Sequence, residues 1–158
     1  MSYHHPMPGA LGAQSEAPNV EVLKDLCKEE LAAAQTYEKA LTLPVLARHA
    51  DVLERCYASH QNRVAELGQR ITSLGAEPPL APGVWGSLIP TLATAAAAVS
   101  EKLAIALLEE SEQRGERRYR DEMPKLDDGN RAFLTERIVP AQACSSSAIS
   151  ELKIALSA

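Results

Sequence analysis

Glu30, His60 and Glu112 are the side chains whose types and spacing point most directly to chemistry. Each falls on the mainly apolar stripe of a different helical segment, so a bundle would bring them inward together. Carboxylates neutralise and bridge cations, and an imidazole caps them. Two carboxylates and one imidazole with open positions suit one divalent transition-metal ion. Without metal, the same groups make a buried hydrogen-bond network in which His60 donates and the two glutamates accept, joined by Tyr37, Tyr57 and Tyr119. At least one carboxylate must then be protonated or paired with His60 as a cation, because two bare carboxylates in a dry site repel. Metal-free acid–base catalysis by Glu and His is a third use, although no substrate pocket is legible.

Four helices must position these groups. From Asn19, read as an N-cap, inward positions recur at Leu23, Cys27, Glu30, Ala34, Tyr37 and Leu41, ending near Leu43. Pro44 suits the first turn of a second helix. Its stripe runs through Leu53, Tyr57, His60, Val64, Leu67, Ile71 and Leu74 to Gly75, a natural C-cap. That helix has about 30 residues and spans roughly 45 Å. The prolines and glycines of AEPPLAPGVWGSLIP exclude a continuous helix. A connector of about 15 residues reaches about 50 Å, enough to run back along a helix, so helices two and three should be parallel. Trp85 and Leu88 are expected to pin it.

The third helix carries Ile105, Leu108, Glu112, Gly115 and Tyr119 and stops at Pro124. After the turn LDDGN the fourth runs through Leu134, Ile138, Ala141, Ser145, Ala148 and Leu152, with a kink expected at Pro140. The fold class is therefore all-α, an antiparallel four-helix bundle with a long crossover between helices two and three. Residues 1–18, rich in Pro, Gly, Ala and Ser, read as a flexible tail, and 19–158 as the bundle. His4 and His5 belong to that tail, and His49 reads as a surface residue.

Composition narrows the function classes. Of 158 residues, 46% are hydrophobic and 23% charged, the balance of one globular domain. A formal net charge of −5 with scattered Lys and Arg argues against nucleic acid. No apolar run of signal-peptide or membrane-spanning type stands out. Cys27, Cys56 and Cys144 are odd in number and widely spaced, which suits a reducing cytoplasm, with Cys27 and Cys56 as small apolar fillers.

Helices one and three look like copies, since Glu30 precedes Tyr37 by seven residues as Glu112 precedes Tyr119. On helices two and four, His60 followed by Glu66 and Leu67 matches Ser145 followed by Glu151 and Leu152. The segment EELAAAQTY resembles the first metal-ligand helix of bacterioferritin, and residues 20–157 resemble the ferritin-like superfamily, particularly uncharacterised bacterial four-helix proteins within it. The resemblance implies the fold, and it implies iron, manganese or zinc held by Glu30, His60 and Glu112, in iron handling or oxidative stress.

Departures from that pattern limit what carries over. Tyr57 stands where a bridging Glu is called for, and helix four offers Gln142 and Ser145 in place of Glu and His. Two divalent ions would keep about two positive charges uncompensated in the interior, which argues against a dinuclear oxidase. Glu54, Glu109 and Glu116 lie one or two turns away and read as solvated face residues. The alternative function is a non-catalytic helical module with a decayed site, working through self-association or a protein partner. The resemblance implies a homo-oligomer, as a dimer, since such bundles often associate, and the alanine-rich face of helix three permits close packing.

Overall fold

The computed structural model describes residues 13–83 and 100–158, with side chains from residue 19 onward in the first helix. The expectations for His4, His5, Trp85, Leu88 and the alanine-rich stretch lie outside the described residues. Among these residues every regular element is helical, and no helix is long and apolar enough to cross a membrane. Helix α1 spans Ala13–Leu41, α2 Ala50–Ser73, α3 Glu101–Glu122, α4 Asp128–Phe133 and α5 Val139–Ser157.

Helix α1 begins six residues before Asn19, so Asn19 is not an N-cap, and part of the expected tail is helical. Asn19 is buried and its Oδ1 accepts from the Asp127 N–H at 2.8 Å, pinning the turn that leads into α4. Pro44 opens a separate 3₁₀ turn, Pro44–His49, so the α-helical part of the second segment has 24 residues rather than about 30. Gly75 ends it with φ +79, where a side chain would be strained. The Ala76 N–H bonds Ile71 O at 3.2 Å and the Gly75 N–H bonds Thr72 O at 2.9 Å, satisfying the last carbonyls of α2. Ser100 caps α3 by accepting from the Leu103 N–H at 3.2 Å, and Asp127 caps α4 by accepting from the Asn130 N–H at 2.8 Å.

Between α4 and α5 the chain widens into a π-helical turn, Leu134–Ile138, closed by a Val139 N–H bond to Leu134 O. Pro140 lacks an N–H, so Glu136 O loses its ordinary i+4 donor just where the ladder opens. The added residue rotates the following face. The buried positions of α5 are Gln142, Ser145, Ser146 and Ile149, not the expected Ala141, Ala148 and Leu152.

Among the described residues two apolar clusters result. One gathers Tyr37, Leu46, Leu53, Cys56, Ile105, Leu108 and Ile149; the other gathers Leu23, Leu26, Cys27, Leu67, Ile71, Leu134 and Ile138. Truncating one of these leucines or isoleucines to alanine costs about 2–5 kcal/mol. The buried polar side chains Glu30, His60, Arg63, Glu112, Gln142 and Ser145 bond to one another, and the tyrosines that join them each belong to one of the two clusters.

Candidate functional site

Glu30, His60 and Glu112 do come together, each less than 5% exposed. His60 Nδ1 lies 2.7 Å from Glu30 Oε2 and Nε2 lies 3.1 Å from Glu112 Oε1. Both ring nitrogens face carboxylate oxygens, so the ring satisfies both only as the doubly protonated cation. Burial pulls the His60 pKa down, but the two glutamates outweigh it and hold it above the ordinary value.

Arg63 is the residue that sequence reasoning missed. It is 1% exposed and donates from Nε to Glu30 Oε2 at 2.9 Å. Its Nη1 donates to Ser59 Oγ at 2.8 Å and to Ser145 Oγ at 3.4 Å. Its Nη2 lies 2.6 Å from His60 Nδ1, a contact between like charges that opposes protonation of the ring without prevailing. A signal was present: the buried face of α2 runs Leu53, Cys56, His60, Arg63, Leu67 and Ile71. Reading Tyr57 and Val64 instead of Cys56 and Arg63 turned the stripe slightly, because an arginine looks like a break in an apolar pattern.

Every oxygen of the two glutamates is taken. Glu30 also accepts from Tyr119 OH at 2.5 Å; Glu112 accepts from Tyr37 OH at 2.6 Å and from Gln142 Nε2 at 2.8 Å. The two glutamates thus face the Arg63 guanidinium and the His60 ring, and with His60 protonated the charges of the layer balance. Burial alone would raise the Glu30 pKa, but His60, Arg63 and Tyr119 hold it down at about 2. Both tyrosines are pushed well above their ordinary range, first by burial and then by the carboxylates they serve. Gly115 admits Gln142: a Cβ there would stand 3.2 Å from Gln142 Nε2.

Tyr57, expected in the network, stays out of it, as do the glutamates read as face residues. Tyr57 is half-buried and its hydroxyl accepts from Gln61 Nε2 at 2.8 Å, so it takes no part in the network expected to include it. Glu54 is exposed, and Glu109 is occupied by Lys153 and Ser150. His49 is not a free surface residue: its side chain is 12% exposed and Nε2 lies 2.7 Å from Glu101 Oε1, beside the Arg48–Glu101 pair. Cys27 and Cys56 are buried fillers in separate clusters, each thiol pushed up to about 11, first by burial. The internal repeat sets His60 against Ser145, whereas in the structure Gln142 holds the matching place, bonding Glu112 as His60 bonds Glu30. The same 82-residue offset separates Glu30 from Glu112, Tyr37 from Tyr119, His60 from Gln142 and Arg63 from Ser145.

These residues do not suit a metal ion as they stand. Arg63 fills the space beside Glu30, and an arginine neither loses its proton nor ligates a cation. Among the described residues no group of three or more His, Cys, Asp and Glu is arranged to hold one. The known families, the curated proteins and the solved structures contain no match to this chain.

Proposed function

We propose that the chain is an antiparallel, ferritin-like four-helix bundle whose inner layer is closed by a protein cation where a relative would hold a metal, and that it works non-catalytically through its outer surface. The observation that carries this reading is the Arg63 Nε–Glu30 Oε2 bond of 2.9 Å in a layer where the acceptors and charges already balance. The antiparallel arrangement is supported by contact order. Cys27 meets Val64 where Glu30 meets His60, Tyr119 meets Glu30 where Glu112 meets Tyr37, and Ser150 meets Glu109 where Gln142 meets Glu112. These three pairs, α1 with α2, α1 with α3 and α3 with α5, run in opposite senses, which makes α2 and α3 parallel and calls for a crossover between them.

A cytoplasmic setting agrees with Cys27 and Cys56 being buried in different clusters, where they cannot pair with each other. Self-association, as a homodimer, or contact with a protein partner is the mode of action left to such a module.

The rival reading, a binder of iron, manganese or zinc, draws on the convergence of Glu30, His60 and Glu112. It requires Arg63 to swing out and His60 to lose a proton, two costs that a ready-made site does not carry. Plasma mass spectrometry on protein purified without metal-affinity resin decides between the two. Less than about a tenth of an ion per chain, before and after aerobic incubation with ferrous iron, is expected. Stoichiometric metal that disappears in Glu30→Ala would overturn the proposal. Sedimentation velocity on the same sample reads the oligomeric state.

A further inference from the structure

A cavity of about 680 Å³ lies between α1 and α3, lined on one side by Leu26, Ala32 and Ala33 and reaching Glu30, His60 and Tyr119 at its floor. That volume is within the range of small-molecule sites, roughly 300–1,000 Å³. Small and apolar side chains make one wall, and the floor groups are already bonded to one another. Neither asks for a charged ligand.

The α3 side does. Arg114 and Arg118 stand one helical turn apart and both line the cavity. Arg114 is half-buried and makes no hydrogen bond or ion pair with the described residues. Arg118 Nη1 forms an ion pair with Glu122 Oε1 at 2.7 Å and its buried Nε lies 3.1 Å from Glu29 Oε1, yet that Nε donates no hydrogen bond among the described residues. The other basic groups there are better matched: Lys28 bonds Asp25 at 2.9 Å and Arg117 bonds Glu110 at 3.2 Å. Glu29, an acid that feels both arginines, is itself raised above its ordinary value, first by burial, against their pull. An under-served guanidinium beside a buried, unsatisfied donor favours an incoming carboxylate, which accepts several N–H bonds at once.

We propose that this cavity binds an amphipathic organic anion, with its apolar body against Leu26, Ala32 and Ala33 and its acid group on Arg114 and Arg118. The inference is independent of how the inner layer is read, since that layer only forms the floor. Dodecanoate below its micellar concentration has the required chemistry, and dodecyltrimethylammonium is its oppositely charged counterpart. Each is titrated against the full chain carrying 8-anilino-1-naphthalenesulfonate as a fluorescent competitor. Saturable displacement by dodecanoate at about one per chain is expected, at least about tenfold tighter than by the cation.

Arg114→Gln weakens dodecanoate about tenfold with an unchanged thermal midpoint, because Arg114 makes no hydrogen bond or ion pair among the described residues. Ala33→Phe, which fills the apolar wall, abolishes displacement, while Arg137→Gln, on the separate pair with Glu66, leaves it unchanged. The proposal is overturned by the absence of saturable displacement, by equal displacement with the two amphiphiles, or by Arg114→Gln binding as the wild type does.

Discussion

The two halves of the bundle place glutamate and tyrosine at the same levels and differ at two matched positions, His60 against Gln142 and Arg63 against Ser145. Helices α1 and α2 supply Glu30, Tyr37, His60 and Arg63; α3 and α5 supply Glu112, Tyr119, Gln142 and Ser145. Each tyrosine crosses to the glutamate of the other half. The first half carries two cations at the layer and the second carries none, so the second glutamate depends on the first half for its charge balance. The polar layer is therefore one unit shared by both halves, and its positive charge resides wholly on α2.

Breaking that asymmetry at its charged end has the largest expected effect. Arg63→Ala leaves Glu30 buried with half its compensation, and a chemical denaturation midpoint should report a loss of about 3–5 kcal/mol. Ser145→Ala, at the matching position, should cost less than about 1 kcal/mol, since its weak bonds to Arg63 and Ala141 are 3.4 and 3.3 Å long. Equal losses in the two variants would dissolve the comparison.

His60→Gln makes the first half resemble the second and should cost about 2–3 kcal/mol at pH 6. Its sharper signature is pH dependence. The folded-state pKa of His60 is raised, so its contribution is full below the unfolded value of about 6.5 and is lost as pH rises through the folded value. Glu30 runs the other way: its contribution is present above the unfolded value of about 4.3 and is lost as pH falls toward about 2. Thermal midpoints of the wild type should fall on both sides of a plateau near pH 5–6.5. In His60→Gln the alkaline decline should flatten and the acid decline remain.

Tyr37→Phe and Tyr119→Phe each remove one hydrogen bond to a buried carboxylate, and equilibrium unfolding should show losses of about 1.5–3 kcal/mol. Tyr119→Phe should also raise the pH at which acid unfolding begins, because Tyr119 helps hold Glu30 ionised. Gly115→Ala is the mildest probe. Helix propensity gains about 1 kcal/mol, and the new Cβ presses on the Gln142 amide, whose bond to Glu112 is worth a similar amount. A net change within about 1 kcal/mol is expected by thermal melt.

The helices and the inward trio were legible because amphipathic spacing survives without knowledge of neighbours. Leu23, Cys27, Glu30, Ala34 and Tyr37 are all buried as their spacing implies, and Ile105, Leu108, Glu112 and Tyr119 likewise. On α5 the spacing misled, because a π turn before Pro140 rotates the face by one residue and brings Gln142 inward. On α2 the pattern allowed two adjacent stripes, and the less apolar one, with Cys56 and Arg63, is the buried one.

The chain's own spacing thus determined its helical elements and the convergence of Glu30, His60 and Glu112, since periodicity is a local property of the backbone. Only the tertiary structure decided that Arg63 would be the cation between them. Whether an arginine points to water or to a buried carboxylate depends on what the facing helix presents, and Glu30 lies 33 residues away in the chain.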